Sequence, residues 1–263
     1  MAPFDRYRLT DSPVHRLDPR LKVVLAVLYI ASNALLPDGA WLAFGLSWGM
    51  VLLAQRLAKF PLLFVVRRSF VALPFALAAV TVMFTLPGDP LATLPLGPWR
   101  LTLSDAGVVR FASITLRSWL SVQGAILLTA VTPFPDLMHA LRHLRVPGAL
   151  VAVISFAYRY LFVLAEEARR LLRAREARSA RLPGGGGGGS LGWRARVAGN
   201  MVGQLFLRSY ERSDRVYNAM LARGFRGQFF TLNPHRMQTR DWLTGAAGAG
   251  SLLLLQWIAR LGG

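Results

Sequence analysis

Residues 147–182 read PGALVAVISFAYRYLFVLAEEARRLLRAREARSARL, and this stretch changes character at its midpoint. Residues 147–165 carry a single charged side chain, whereas residues 166–181 carry six arginines. An apolar run of this length is typical of a segment at a membrane, and basic residues favour the cytoplasmic side. The stretch therefore predicts one long helix that leaves the membrane for a basic, water-exposed part.

The chain as a whole has the composition of an integral membrane protein. Its 263 residues are 54% hydrophobic and only 17% charged, against about 25% charged in a typical soluble domain. The formal charge is +18, and cysteine is absent, which excludes disulfides and thiolate metal sites. The apolar residues form six runs: Leu21–Leu36, Ala40–Ala54, Phe70–Leu86, Phe111–Val131, Pro147–Ala165 and Trp242–Ile258.

The distribution of basic residues predicts the orientation. Lysine and arginine are concentrated before the first run and between the second and third, which places the N-terminus inside and makes the first four runs spans. If 147–165 also crossed, residues 166–226, with thirteen arginines against five acids, would lie outside. We therefore interpret 147–165 as lying at the interface or packing on another membrane protein, and the final run as a fifth span.

The fold predicted is an all-α membrane protein with about five transmembrane helices and a cytoplasmic module of one short and two long helices. The short helix covers 132–145, and the long helices cover 148–182 and 191–223, separated by the glycine run 184–189. The predicted domains are a membrane domain at 1–131, the module at 132–228 and the last transmembrane helix at 229–263.

Each long helix is predicted to end near a tripeptide in which arginine stands between small residues. These tripeptides are Ala177-Arg178-Ser179 and Ala222-Arg223-Gly224. Small neighbours allow a partner's backbone to approach, and the guanidinium then offers a rigid fork of donors. A solvated helix face would account for the same pattern, and the residues alone leave both interpretations open.

Several motifs along the chain together resemble one family. They are Leu17-Asp18-Pro19-Arg20-Leu21-Lys22, Leu141-Arg142-His143-Leu144-Arg145-Val146-Pro147, Tyr158-Arg159-Tyr160-Leu161-Phe162-Val163-Leu164 with Glu167, and Arg208–Tyr217 running into Met220–Phe225. In order and spacing they resemble the transmembrane (T) component of energy-coupling factor transporters, in particular the cobalt-transport type called CbiQ.

The resemblance implies a non-catalytic coupling subunit of a cobalt or nickel importer in a bacterial inner membrane, with its N-terminus and its coupling module in the cytoplasm. Two ABC-type ATPase subunits would bind the two tripeptides, although Ser179 departs from the usual glycine. A membrane-embedded metal-capture subunit, sometimes with a small accessory membrane subunit, and membrane lipid are the other implied partners. Asp18, Pro19, Arg20, Arg159 and Glu167 are implied structural or coupling residues, and no cofactor is implied. A T component serving vitamin-capture proteins is the alternative.

Other candidate sites have simpler interpretations. Asp136, His139 and His143 share a helical face and are weak candidate metal ligands, but a short interfacial helix is the favoured interpretation because no further ligand is obvious nearby. Arg117 lies inside a span and is interpreted as satisfied within the bundle. A membrane enzyme is disfavoured because the spans carry no acid away from their ends, and nucleic-acid binding because the basic helices lack interleaved aromatic residues. No P-loop motif is present, so ATP hydrolysis would belong to a partner.

Overall fold

A computed structural model describes Tyr7 and residues 10–96, 99–178, 190–227 and 237–261. Within these ranges the protein is helical apart from one hairpin, which confirms the all-α membrane fold. The helices are α1 (Pro19–Ala34), α2 (Trp41–Leu57), α3 (Leu62–Arg68), α4 (Leu73–Ala79), α5 (Val82–Thr85), α6 (Asp105–Val131), α7 (Phe134–His143), α8 (Gly148–Arg178), α9 (Leu191–Ala222) and α10 (Thr239–Leu261). Two compact units are present: the described residues up to 144 together with 237–261 form the first, and residues 145–178 and 190–227 form the second.

Four helical segments of the described ranges are long and apolar enough to cross a membrane: Leu63–Thr85, α6, α8 and α10. Helices α1 and α2 have 16 and 17 residues and rise only about 25 Å, less than the roughly 30 Å hydrocarbon core. Helix α8 meets the same criteria of length and composition as the other three. The interpretation that 147–165 stays at the interface therefore remains a prediction that depends on the charges following it.

The third membrane segment begins earlier than the sequence predicts. Helix α3 starts at Leu62, so Arg67 and Arg68 lie in a helix and not in the predicted loop. The guanidinium of Arg68 lies 4.2 Å from the centroid of the Phe64 ring, which gives this charge a favourable neighbour. The segment is broken by a 3₁₀ turn at Ser69–Ala72, which ends two residues before Pro74, a residue that cannot donate a backbone hydrogen bond.

A two-stranded hairpin precedes α6 where the sequence predicted only a loop. Strands β1 (Pro90–Leu96) and β2 (Trp99–Ser104) pair antiparallel, with Thr93 opposite Thr102. Alternating leucine and threonine was the available signal, but the prolines of β1 argue against a strand unless it lies at an edge. Ser104 then caps α6, since its hydroxyl accepts a hydrogen bond from the Gly107 N–H at 3.0 Å.

Helix α6 is the centre of the first unit and packs against α1, α2 and the segment 62–85. The turn between α1 and α2 is attached to it by polar contacts. Asp38 accepts a hydrogen bond from Arg117 at 2.6 Å, and the Gly39 N–H donates to the Ser113 hydroxyl at 3.0 Å. Arg117 is thus paired with a carboxylate of its own unit, although its buried Nε has no hydrogen-bond partner among the described residues.

Helix α7 belongs to the first unit and not to the module in which we had placed it. It packs against α1, and Met138, His139 and Ala140 on its inner face are buried. The boundary between the units therefore lies after residue 144 and not after 131. Helix α10, predicted as a separate segment, packs on α1 and α2 in the same unit.

Close packing of α6 on α1 depends on Gly124. A β-carbon at this position would lie 2.8 Å from Cδ1 of Tyr29. That ring cannot easily move, because its hydroxyl accepts a hydrogen bond from Ser47 at 2.9 Å. Small residues permit such approach between membrane helices.

We predict that Gly124→Val destabilises the first unit by about 1–3 kcal/mol through overpacking, whereas Gly49→Val on α2, where a β-carbon meets nothing within 4 Å, has little effect. Both replacements change helix propensity alike, so the control isolates the steric contribution. Thermal unfolding of the detergent-solubilised variants measures the difference, and equal loss of stability in the two variants would contradict it.

Candidate functional site

The second unit, as far as it is described, consists of α8 and α9, two helices of 31 and 32 residues. Hydrophobic burial contributes little here: no residue of α9 is buried, and only Val151 and Ala152 of α8 are. Specific polar contacts therefore have more influence on the arrangement of these helices than they would in an ordinary core.

Glu167 supplies a polar contact between the two helices. One carboxylate oxygen accepts from Arg170 on its own helix at 2.5 Å, and the other accepts from Arg208 on α9 at 2.8 Å. The Glu167 side chain is only 14% exposed, whereas both arginines are largely exposed. Glu167 was predicted as a coupling residue. Its partner Arg208 was quoted in a motif but not selected, because no spacing rule connects positions 41 residues apart.

A groove of about 450 Å³ opens between the helices on one side of this ion pair. On α8 its lining precedes Glu167, and on α9 it follows Arg208. The two helices therefore run in opposite directions along the groove. The lining residues are Phe156, Ala157, Tyr160 and Leu164 on α8, and Ser209, Arg212, Ser213, Asp214, Val216, Tyr217 and Met220 on α9.

The two predicted arginines lie at or next to the C-terminal ends of these helices. Ala177 and Arg178 are the last residues of α8 and are exposed, while Ser179 and the glycine run 184–189 lie outside the described residues. Arg178 is about three helical turns beyond Glu167, and Arg223 is about four turns beyond Arg208 in the opposite direction. The two ends are therefore separated by roughly 40 Å at 5.4 Å per turn.

The end of α9 has a well-defined cap. Arg223 follows Ala222, the last helical residue, and Gly224 adopts a φ of +78°, as the glycine at this position predicted. The Phe225 N–H donates to the Met220 carbonyl at 3.0 Å, and the Gly224 N–H donates to the Leu221 carbonyl at 2.9 Å. This is the Schellman pattern. It stops the helix at a fixed position and leaves Arg223 exposed.

The residues Asp18, Pro19 and Arg20 lie in the first unit, where they begin α1. The Asp18 carboxylate accepts from the Arg20 N–H at 2.8 Å, and Pro19 occupies the first helical turn. The Asp18 N–H donates to Asp241, whose other oxygen accepts from the Gln238 N–H at 2.8 Å. Asp241 thus connects the first turns of α1 and α10, a role that no sequence motif indicated.

Arg159 and the residues considered as metal ligands are not gathered into one site. Arg159 is exposed on α8, with no carboxylate of the described residues at ion-pair distance. The rings of His139 and His143 lie 4.4 Å apart on α7. Within the described part of the chain, no three histidine or acidic side chains are arranged to hold a metal ion.

Comparison with known proteins decides the family. The sequence pattern of CbiQ, described as a cobalt transport protein, matches residues 10–234, which include all described helices except α10. The chain belongs to the CbiQ family. The resemblance to a T component is thereby confirmed, and the membrane protein is part of a transporter.

Individual relatives of this CbiQ-family chain agree. The energy-coupling factor transporter transmembrane protein EcfT of Heliobacterium modesticaldum is 28% identical over 95% of this chain and 94% of its own length. The cobalt transport protein CbiQ of Rhodobacter capsulatus is 27% identical over 60% of this chain and 62% of its own length. An uncharacterised protein of Methanocaldococcus jannaschii is 24% identical over 90% of this chain and 80% of its own length.

We predict that Glu167→Gln loosens α8 from α9, because the neutral amide loses the charge-assisted contact with Arg208, worth about 1 kcal/mol at a partly exposed site. The chain has no native cysteine, so spin labels at Leu172→Cys and Val202→Cys report the interhelical distance directly. The distance distribution should broaden in Glu167→Gln. The neighbouring Glu166→Gln removes the same charge without the contact and should leave the distribution unchanged; equal broadening in both would contradict the prediction.

Proposed function

We propose that this protein is the T component of an energy-coupling factor importer for cobalt or nickel ions. In this role it transmits ATP-driven movement of two ABC-type ATPase subunits to a membrane-embedded metal-capture subunit. The observation that carries the proposal is the pair of exposed arginines, Arg178 and Arg223, at or next to the ends of two helices joined at Glu167. The family match supports the transporter class.

Each helix end suits docking into a groove of another protein. Arg178 and Arg223 are exposed and have no carboxylate of the described residues at ion-pair distance, so their donors are available to a partner. The alanines before them, Ala177 and Ala222, leave room for a partner's backbone, and a guanidinium binds carboxylates or carbonyls with fixed geometry. Two such ends roughly 40 Å apart fit two ATPase subunits, one at each end.

Transmission follows from the stiffness of the helices and from their joint. When ATP binding draws two docked subunits together, each helix end moves with its subunit. The Glu167–Arg208 contact couples the movement of α8 to that of α9. The capture subunit, resting on these helices, would then tilt and release its cargo inward. The chain itself performs no chemistry in this proposal, and the ATPase subunits hydrolyse ATP.

The orientation proposed follows the charge distribution. The helices α8 and α9 and the segment before α1 are rich in arginine, which favours the cytoplasmic side of a bacterial inner membrane for all three. The cargo follows the family description and the relatives named CbiQ. A T component serving vitamin-capture proteins is the second candidate, because the relatives named EcfT match a larger share of the chain.

Co-purification tests the docking. The detergent-solubilised chain, co-expressed with its candidate ATPase, should retain that ATPase, whereas Arg178→Glu/Arg223→Glu should retain at least about tenfold less, since reversed charge at a contact costs several kcal/mol. The double variant Arg169→Glu/Arg215→Glu is the control. It reverses two exposed arginines on the same helices, each about two turns or more from the C-terminal end of either helix, and should behave as the wild type.

Each outcome has a definite meaning. Selective loss in the Arg178/Arg223 variant supports docking through the helix ends. If the wild type and both double variants retain the ATPase equally, Arg178 and Arg223 are solvated charges and the proposed docking site is wrong. If the wild type retains no ATPase, the proposed coupling role is wrong. Uptake of radioactive cobalt, nickel and vitamins by the complete transporter then distinguishes the cargo candidates.

A further inference from the structure

The groove between α8 and α9 has one polar end and one apolar end. Because the helices run in opposite directions, the first lining residue of α9, Ser209, lies at the same end of the groove as the last lining residue of α8, Leu164. The polar end near Glu167 contains Ser209, Arg212 and Ser213, and the opposite end contains Phe156, Tyr217 and Met220. A groove with this gradient fits a molecule that is itself polar at one end and apolar along its length.

Arg212 is the cationic group of the polar end. It has no carboxylate at ion-pair distance among the described residues, in contrast to Arg208 and Arg215 of the same helix, which pair with Glu167 and Glu211. Asp214 also lines the groove, but two residues along a helix place it about 200° around the axis from Arg212, at the opposite rim. Arg212 is therefore available to an anionic group, with the Ser213 hydroxyl beside it.

The polar end lies at the point where α8 changes from apolar to charged. Leu164 is the last α8 residue of the lining, and Glu166 begins the charged half of the helix. Such a transition marks the level of lipid headgroups at a membrane surface. Basic pockets between helices on the cytoplasmic side bind anionic headgroups, and the chain's surplus of +18 favours an anionic lipid over a zwitterionic one.

We propose that an anionic phospholipid of the cytoplasmic leaflet binds in this groove. Arg212 donates to its phosphate, the Ser213 hydroxyl provides a further hydrogen bond, and an acyl chain lies along Phe156, Tyr160 and Met220. The site would make the contact between the two coupling helices sensitive to lipid composition. It extends the proposed function without depending on ATPase docking, because neither Arg178 nor Arg223 takes part in the lipid contacts.

Native mass spectrometry of the full chain, purified in detergent, tests the site with defined probes. Dioleoyl phosphatidylglycerol should bind the wild type as a single adduct, at least about fivefold more tightly than dioleoyl phosphatidylcholine, as expected for one arginine at a headgroup. Glycerol 3-phosphate, an anionic phosphate ester without acyl chains, should leave no adduct at the same concentration.

Three variants place the lipid in the groove. Arg212→Gln should reduce phosphatidylglycerol binding about fivefold, whereas Arg215→Gln, which removes the same charge from the same helix outside the groove, should change it by less than about twofold. Ala157→Trp keeps every charge but fills the groove and should abolish the adduct. Circular dichroism confirms that each variant remains helical.

The remaining outcomes overturn the proposal. Equal effects of Arg212→Gln and Arg215→Gln would mean that a diffuse positive field, and not a site, attracts the lipid. Undiminished binding in Ala157→Trp would place the lipid elsewhere and leave the groove for a partner's helix. The proposal is also wrong if the wild type binds phosphatidylcholine or glycerol 3-phosphate as tightly as phosphatidylglycerol. It is likewise wrong if the wild type binds no phosphatidylglycerol. None of these results bears on co-purification of the ATPase.

Discussion

The Glu167 carboxylate is the contact on which the arrangement of α8 and α9 depends. Each of its oxygens accepts from a different arginine, one on its own helix and one on the neighbour. Since neither helix buries more than two residues, little hydrophobic free energy is available to select one relative orientation. A directional, charge-assisted contact decides it instead, and it can adjust without the loss of a packed core.

The first unit is held together differently. Helix α6 is surrounded by other elements, and Leu120 within it is 1% exposed. Small residues such as Gly124 allow backbones to approach, and buried hydrogen bonds such as that between Ser47 and Tyr29 fix the register. Dense packing of this kind resists deformation, whereas elements with few buried contacts move at low cost. The first unit is therefore expected to resist deformation more strongly than the second.

The arginines of the second unit divide into two groups. Arg170 and Arg208 are paired and contribute to its structure. Arg178, Arg212 and Arg223 have no acidic partner among the described residues, and they lie at the end of α8, at the polar end of the groove and beside the end of α9. Composition reveals the surplus, but it does not distinguish these groups, because pairing depends on residues far apart in the chain.

The sequence by itself determined that this is a membrane protein with two long helices, α8 and α9, and that Asp18 and Gly224 cap helix ends. Hydrophobic periodicity, charge and capping chemistry are local properties, so the sequence shows them without the fold. It did not predict the hairpin at 90–104, in which prolines obscured the alternation, or the packing of α7 on α1 in the first unit. Only the tertiary structure decided the partners of Glu167, Asp241 and Arg117, and it alone revealed the groove beside Arg212. These features join positions distant in sequence, and no local physical rule relates such positions before the chain has folded.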